Sequence, residues 1–160
     1  MTNEIQFDDV NRLRAAMSDD YGDWGPELEI TQALIDDFAE LTGDDQWIHV
    51  DEERARNGPF GVPIAHGLLI LALGPSIRSQ QQYTIVGHSS TLNYGSDGVR
   101  FIEPVPAGSV IHSRSRLVDV QEHPRGTRMT SEIAVHVVGN ERPSMVFKAV
   151  VLHTPPEVAQ

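Results

Sequence analysis

The first half of the chain carries apolar residues at helical spacing. Between residues 32 and 42 they recur every three or four positions, which predicts an amphipathic helix. These residues are Leu34, Ile35, Phe38 and Leu41. Thr31 is placed to cap the start of this helix, and Gly43 is placed to end it. The pattern also predicts an N-terminal helix over 8–18, a short strand around Leu28–Ile30 and a helical turn over 51–57.

The second half carries segments rich in Val and Ile that are separated by turn residues. The predicted strands are Ser90–Tyr94, Gly98–Ile102, Ser109–Val120, Met129–Val138 and Met145–His153. In the last of them, apolar residues occupy both alternating faces, which is typical of a strand covered on both sides. Helices followed by an antiparallel sheet predict an α+β fold in which the sheet packs on a helix.

The apolar segment over residues 67–81 is ambiguous by pattern alone. The run Leu68–Leu73 suits a buried strand as well as a buried helix, because an unbroken apolar run has no periodicity. Gly74 and Pro75 would interrupt either element. Both assignments therefore stay open at this point.

The composition indicates one globular domain. Apolar residues make up 39% of the 160 positions and charged residues 22%, as in ordinary soluble proteins. The absence of cysteine excludes disulfides and thiol nucleophiles and is compatible with a cytoplasmic location. A net charge of −11 argues against binding to nucleic acid or anionic lipid. The sequence also shows neither a signal-peptide pattern nor an apolar run long enough to span a membrane. We therefore expect no membrane partner, and the acidic charge leads us to expect no nucleic-acid partner.

Asp44 and His49 are the first candidates for chemistry. In a helix their spacing would set them roughly 140° apart around the axis, and in an extended chain about 17 Å apart. They converge only if residues 44–48 form a compact loop, which Gly43 can begin. A convergent carboxylate and imidazole can hold one water and exchange protons with it. Spacing alone leaves open the alternative of a capping Asp and a surface His.

Gly67 is the second candidate. If a helix begins there, its unpaired backbone N–H groups face whatever precedes it, and a glycine lets a ligand approach closely. Such N–H groups can polarise a carbonyl and stabilise the negative charge that develops on it. The alternative is that His66 and Gly67 only open a core helix.

The remaining polar residues define no site. Asp51 lies near His49 in the sequence, but one His with scattered carboxylates is a poor ligand set, so no metal is expected. His66 is interpreted as a structural histidine bonded to backbone. The other histidines are interpreted as surface or strand residues: His88, His112, His123, His136 and His153. A phosphate site could draw on Arg78, Arg100, Arg114, Arg116, Arg128 or Lys148, and the sequence does not select among them.

Two motifs together resemble the MaoC-like dehydratases, also called (R)-specific enoyl-CoA hydratases. The family signature is an aromatic residue, Gly-Asp, a variable residue, Asn-Pro, an aliphatic residue and His, and it falls on residues 38–49, "FAELTGDDQWIH". The family's small–His–Gly helix opening falls on Ala65-His66-Gly67, and residues 93–109 resemble its following strand–turn segment. Gln46-Trp47 replaces Asn-Pro, which resembles a subgroup that includes nodulation protein N-like members. The resemblance covers about residues 28–153.

The resemblance implies a hotdog fold, in which a curved antiparallel sheet wraps one long central helix. Residues 67–81 are therefore assigned to that helix, which we expect to be kinked or loosened near Pro75. We expect one such domain over 1–160, with a helix and loop extension at 1–26. The family pattern implies Asp44 and His49 as the catalytic pair and the Gly67 backbone N–H as the donor to a thioester oxygen. It implies no cofactor beyond a coenzyme A or acyl-carrier-protein thioester as substrate.

The implied reaction is the reversible hydration of a trans-2-enoyl thioester to the (R)-3-hydroxyacyl thioester. A homodimer is expected, because a lone hotdog domain leaves a sheet edge exposed. One alternative is a hotdog acyl-CoA thioesterase, which would release a free thiol. The other is a non-catalytic partner that binds acyl thioesters. The Asp44–His49 pair within one loop favours the hydratase.

Overall fold

The computed structural model describes residues 3–157, so the outermost positions of the predicted 1–160 domain lie outside the described residues. The strands are β1 Asn3–Gln6, β2 Leu28–Glu29, β3 Tyr83–Val86, β4 Ser90–Phe101, β5 Val110–His123, β6 Gly126–Val137 and β7 Met145–Thr154. The helices are α1 Val10–Ala15, α2 Gln32–Thr42, α3 Trp47–Val50, α4 Glu52–Arg56 and α5 Gly67–Ala72, followed by a 3-10 turn at Gly74–Ile77. Within the described range, none of the helices has the length and apolar character needed to cross a bilayer.

The main sheet is antiparallel and has the order β2-β5-β6-β7-β4. It curls around α5 and the 3-10 turn, whose buried residues Leu69, Ile70 and Ile77 pack against the inner face of the sheet, including Val135 and Phe147. Burial of these side chains is the main stabilising contribution to this layer. The predicted α+β hotdog fold is confirmed.

The central helix is shorter than predicted. α5 ends at Ala72 rather than continuing to residue 81. Pro75 lacks the N–H that a continuing helix would bond to Leu71, and its ring would clash with that carbonyl. The backbone tightens instead into the 3-10 turn, which accepts Pro75 in its first positions. One long helix is therefore replaced by two short helical pieces.

α2 follows its local signals closely. The Thr31 side chain accepts a hydrogen bond from the Leu34 backbone N–H at 3.2 Å, and Gly43 ends the helix in the left-handed region with φ 76°. Ile35 is fully buried, as predicted, but Leu41 is 81% exposed and lies outside the apolar stripe. Ala39 takes the buried place at the C-terminal end of the helix.

The segment over residues 90–101 is one strand, not the two predicted strands. β4 stays paired with β7 throughout, with register irregularities between Asn93 and Gly95 and between Ser96 and Val99. The glycines that indicated a turn therefore lie at bulges within a continuous strand. β4 is also an edge of the sheet and is exposed along almost its whole length.

The N-terminal extension contains a strand that the sequence did not indicate. β1 pairs in parallel with β3, and α1 is shorter than the predicted helix over 8–18. These elements cover one end of the main sheet through a second apolar cluster. Its buried members are Ile5, Val10, Leu13, Leu117, Val120 and Met129.

Candidate active site

The loop after α2 is held by a short helix. Gly43 reverses the chain direction at the end of α2, Asp44 follows, and α3 begins at Trp47. A helical turn therefore completes the compact loop that the sequence predicted for residues 44–48. Asp51 accepts a hydrogen bond from the Arg54 N–H at 2.9 Å and caps α4, which accounts for its place near the site.

This loop brings three polar side chains together. A carboxylate oxygen of Asp44 and one ring nitrogen each from His49 and His66 all lie within 4.8 Å of one another. The rings of His49 and His66 stack with centroids 3.8 Å apart and planes 25° apart. Both histidines are buried, whereas Asp44 is exposed. The structure therefore brings together the predicted Asp44–His49 pair and adds His66 to it.

The hydrogen bond of His49 fixes which of its ring nitrogens carries the proton. Its Nδ1 lies 2.6 Å from the Ile64 carbonyl oxygen, which can only accept, so Nδ1 carries the proton and donates. In the neutral ring Nε2 then has a free lone pair. His49 is therefore arranged to accept a proton at Nε2.

His66 is oriented in a similar way. Its Nε2–H donates to the backbone carbonyl of Asp44 at 2.8 Å, and the Phe38 ring packs 5.0 Å away, centroid to centroid. Its Nδ1 is buried and has no hydrogen-bond partner among residues 3–157. The sequence correctly indicated a bond to backbone, but no local signal indicated that this backbone belongs to Asp44.

Gly67 is the first residue of α5, and His66 is its N-cap without a side-chain capping bond. The Gly67 N–H therefore belongs to the donors that a helix leaves unpaired. The Phe101 ring covers this residue so closely that a Cβ at position 67 would lie 2.8 Å from Cδ1 and Cε1 of the ring. Only glycine fits here without a shift of Phe101.

An apolar pocket of about 370 Å³ adjoins His49 and Gly67. Its walls are mostly apolar, and among them are Phe60, Leu68, Ile70, Phe101, Val105 and Met145. Shape and apolar lining suit a hydrophobic chain whose polar end lies at His49 and Gly67. None of the six candidate phosphate-binding residues is among the described residues that line it.

A larger cavity of about 610 Å³ lies between the N-terminal extension and β5. It is lined by polar residues such as Tyr21, Gln81 and Arg116 and contains none of the candidate catalytic residues. The smaller pocket is therefore the better candidate for substrate, because His49 and Gly67 line it.

Asp44, His49 and His66 form a fuller metal-ligand set than the sequence indicated. The lone pair of an imidazole lies in the plane of its ring. Because the two rings are stacked and nearly parallel, their lone pairs run side by side and do not converge on one ion. The arrangement suits a water held between Asp44 and His49 better than a metal.

Known proteins share the sequence pattern and the fold of this chain. Residues 22–138 match the MaoC like domain family. The chain is 44% identical over 148 residues to 3-hydroxyacyl-thioester dehydratase Z of Mycobacterium tuberculosis. The aligned region covers 91% of this chain and 95% of that protein. It is 38% identical over 120 residues to nodulation protein N of Rhizobium meliloti, covering 74% of each. The (R)-hydratase of A. caviae, involved in PHA biosynthesis, superimposes with a TM-score of 0.66 at 22% identity, over 87% of this chain and 98% of that one.

Proposed function

Because this chain belongs to the MaoC-like dehydratase family, we propose that it is a hydro-lyase that adds water reversibly to a trans-2-enoyl thioester. The product is the 3-hydroxyacyl thioester, in the (R) configuration. The proposal is supported by the dehydratase to which the chain is 44% identical along nearly its whole length. It is also supported by the site, because His49 and Gly67 line one apolar pocket and the Asp44 carboxylate lies within 4.8 Å of a ring nitrogen of His49.

Gly67 polarises the substrate. Its backbone N–H donates to the thioester oxygen, so the electron density withdrawn from the double bond collects there as an enolate. The acyl chain occupies the apolar pocket, which excludes bulk water from the double bond. The substrate is carried by coenzyme A or by an acyl carrier protein, and no further cofactor and no metal takes part.

Asp44 and His49 activate the water. The water donates hydrogen bonds to the Asp44 carboxylate and to His49 Nε2, and loses a proton to Nε2 as its oxygen bonds to C3. The enolate collapses as a proton returns from the same pair to C2. One water is consumed and the pair is regenerated. The observation that carries the proposal is the convergence of Asp44 and His49 beside Gly67.

Crotonyl-CoA tests the reaction. We expect the enoyl-thioester absorbance to fall in the presence of the protein, with no free thiol appearing in a thiol-reactive dye assay. Thiol release would instead identify a thioesterase, in which the water attacks the carbonyl. Binding without loss of absorbance or thiol release would identify a non-catalytic acyl-binding protein. A boiled sample and the Asp44→Asn variant serve as controls.

The enzyme acts as a homodimer in the cytoplasm. β4 supports the dimer, because a long exposed edge strand leaves a row of backbone hydrogen-bonding groups that a second copy can pair. Exposed apolar side chains along and just beyond this strand, among them Leu92, Tyr94 and Ile102, add to the reason for covering it. Light scattering at micromolar concentration should give the mass of two chains, and a monomeric mass would contradict this assembly.

A further inference from the structure

His66 contacts both halves of the proposed catalytic apparatus. Its Nε2–H holds the Asp44 backbone carbonyl, its ring stacks on His49, and its own backbone continues into Gly67. The residues that it joins come from a loop, a helical turn and the start of α5. A change at His66 therefore reaches the acid–base pair and the N–H donor at once.

Packing alone does not explain a histidine at this position. A phenylalanine would stack between Phe38 and His49 as well, and it would bury no unpaired polar atom. His66 instead buries Nδ1 without a hydrogen-bond partner among the described residues, which lowers the stability of the folded state. The contact that the structure shows to offset this cost is the hydrogen bond from the other nitrogen, Nε2.

The bond from Nε2 joins the buried side chain of His66 to the backbone of a residue that is otherwise exposed. The bond ties this loop, which begins at Gly43 and is exposed at residues 44–46, to the residue before α5. It therefore sets where Asp44 lies relative to Gly67.

We propose that His66 is a positioning residue that holds Asp44 and His49 in the correct place relative to the Gly67 N–H. This inference rests on the proposed hydration of an enoyl thioester. A hydrogen bond to the main chain of Asp44 moves the loop as a unit, and the stack limits rotation of the His49 ring. A displacement of about 1 Å at reacting groups can lower turnover by about 10²-fold.

Three variants separate positioning from stability. His66→Phe keeps a stacked ring but removes the donor, whereas His66→Gln keeps an N–H that can reach the Asp44 carbonyl. His136→Phe is the matched control, because His136 is also buried and bonds a backbone carbonyl, that of Asn140, through Nδ1 at 3.0 Å. It lies against Trp24, away from the apolar pocket.

For crotonyl-CoA, we expect His66→Phe to lower kcat by about 10–100-fold with little change in KM. Its melting temperature should stay close to that of the wild type, because the orphaned nitrogen is gone. His66→Gln should recover most of kcat, and His136→Phe should keep kcat and lose stability. A His66→Phe protein that is unstable yet turns over normally would overturn the proposal. So would equally slow Phe and Gln variants, because the lost group would then be the imidazole itself.

Backbone amide NMR supplies a readout that does not depend on catalysis. In His66→Phe the amide signals of Asp44, Asp45 and Gly67 should shift or broaden, and in His66→Gln they should return toward their wild-type positions. Unchanged signals in His66→Phe would overturn the proposal whatever the activity. If the wild type is inactive on enoyl thioesters, the proposed function fails, and these signals still decide whether His66 sets the loop.

Discussion

Two histidine clusters in this protein share their local geometry but not their surroundings. His49 stacks on His66 at 3.8 Å, and Trp24 stacks on His112 at the same distance with His136 at its edge. Each cluster includes a buried histidine whose Nδ1 is bonded to a backbone carbonyl. Stacking and a fixed tautomer are therefore not what distinguishes a candidate active site.

The difference lies in what else converges on each cluster. Beside His49 there are a carboxylate, a helix-start N–H and an apolar pocket. At the Trp24 cluster the cation Arg114 lies over the Trp24 ring, and the carboxylate that acts on His112 is that of Glu27. Burial lowers the pKa of His112 there, and repulsion from His136 lowers it further. A candidate active site therefore needs complementary groups around one volume. The Trp24 cluster instead holds the N-terminal segment on β5, because Trp24 stacks on His112.

The largest expected effect separates the two clusters directly. Asp44→Asn and His49→Ala should each lower kcat for crotonyl-CoA by about 10²–10⁴-fold, because each removes acid–base chemistry. His112→Ala should leave kcat unchanged. Steady-state kinetics with circular dichroism as a fold control make the measurement. Comparable rate losses at His112 and His49 would abolish the distinction.

Gly67→Pro should have the next largest effect. It removes the N–H at a helix position that tolerates proline, and the extended backbone of His66, φ −60° and ψ 135°, suits a residue before proline. Losing one such donor typically costs about 10²–10³-fold in kcat.

Gly67→Ala is the matched control, since either new side chain must displace Phe101 but only proline lacks the N–H. Repeating the pair in a Phe101→Ala background removes the steric difference. A Pro variant as fast as the Ala variant in that background would exclude Gly67 from the mechanism.

Another buried histidine, His153, should affect stability through pH and leave the rate constant of the reaction unchanged. Burial lowers the pKa of His153 to about 4, and repulsion from His88 contributes. The unfolded chain takes up this proton near pH 6.5, so the stabilisation is complete above about pH 6.5 and is lost as pH falls toward about 4.

We expect the free energy of unfolding to fall through this group between about pH 7 and about pH 5, by less than about 2 kcal/mol because solvent screens part of the interaction. His153→Asn can retain the hydrogen bond to Thr91, so it serves as the reference, and its stability should depend less steeply on pH. Urea unfolding at the two pH values makes the measurement. Equal pH slopes in the two proteins would contradict the assignment.

The smallest expected effect belongs to the Trp24 side of the comparison. The Tyr21 hydroxyl donates to Glu132 at 2.8 Å, and burial together with that carboxylate raises the Tyr21 pKa to about 12. Tyr21→Phe should lower the free energy of unfolding by about 0.5–1.5 kcal/mol and leave kcat unchanged. Urea unfolding and a kcat measurement on the same preparation test it, and a slower enzyme of wild-type stability would contradict it.

The parts that the sequence predicted are those encoded by neighbours in the chain. Thr31 and Gly43 bound α2 through their own hydrogen-bonding and backbone preferences, and the α+β order follows from the change of periodicity. The family pattern then identified Asp44, His49 and Gly67, whose roles remain predictions. Local signals suffice where the interacting groups lie within a few residues of each other.

The parts that the sequence did not predict depend on distant contacts. The pairing of β1 with β3 joins segments some eighty positions apart, and β4 runs through its glycines because β7 pairs along its whole length. The bond from His66 to the Asp44 carbonyl spans 22 positions. The periodicity of the sequence does not indicate such distant contacts. The place of His66 beside Asp44 and His49 is therefore visible only in the folded chain.

The position of the incorporated oxygen distinguishes hydration at C3 from hydrolysis of the thioester. Crotonyl-CoA is incubated with the protein in ¹⁸O-enriched water, and the products are analysed by mass spectrometry, with Asp44→Asn in parallel. We expect the label to enter the C3 hydroxyl of an intact 3-hydroxyacyl thioester, and we expect Asp44→Asn to incorporate far less. Label in a released carboxylic acid, or equal C3 labelling by the two proteins, would contradict it.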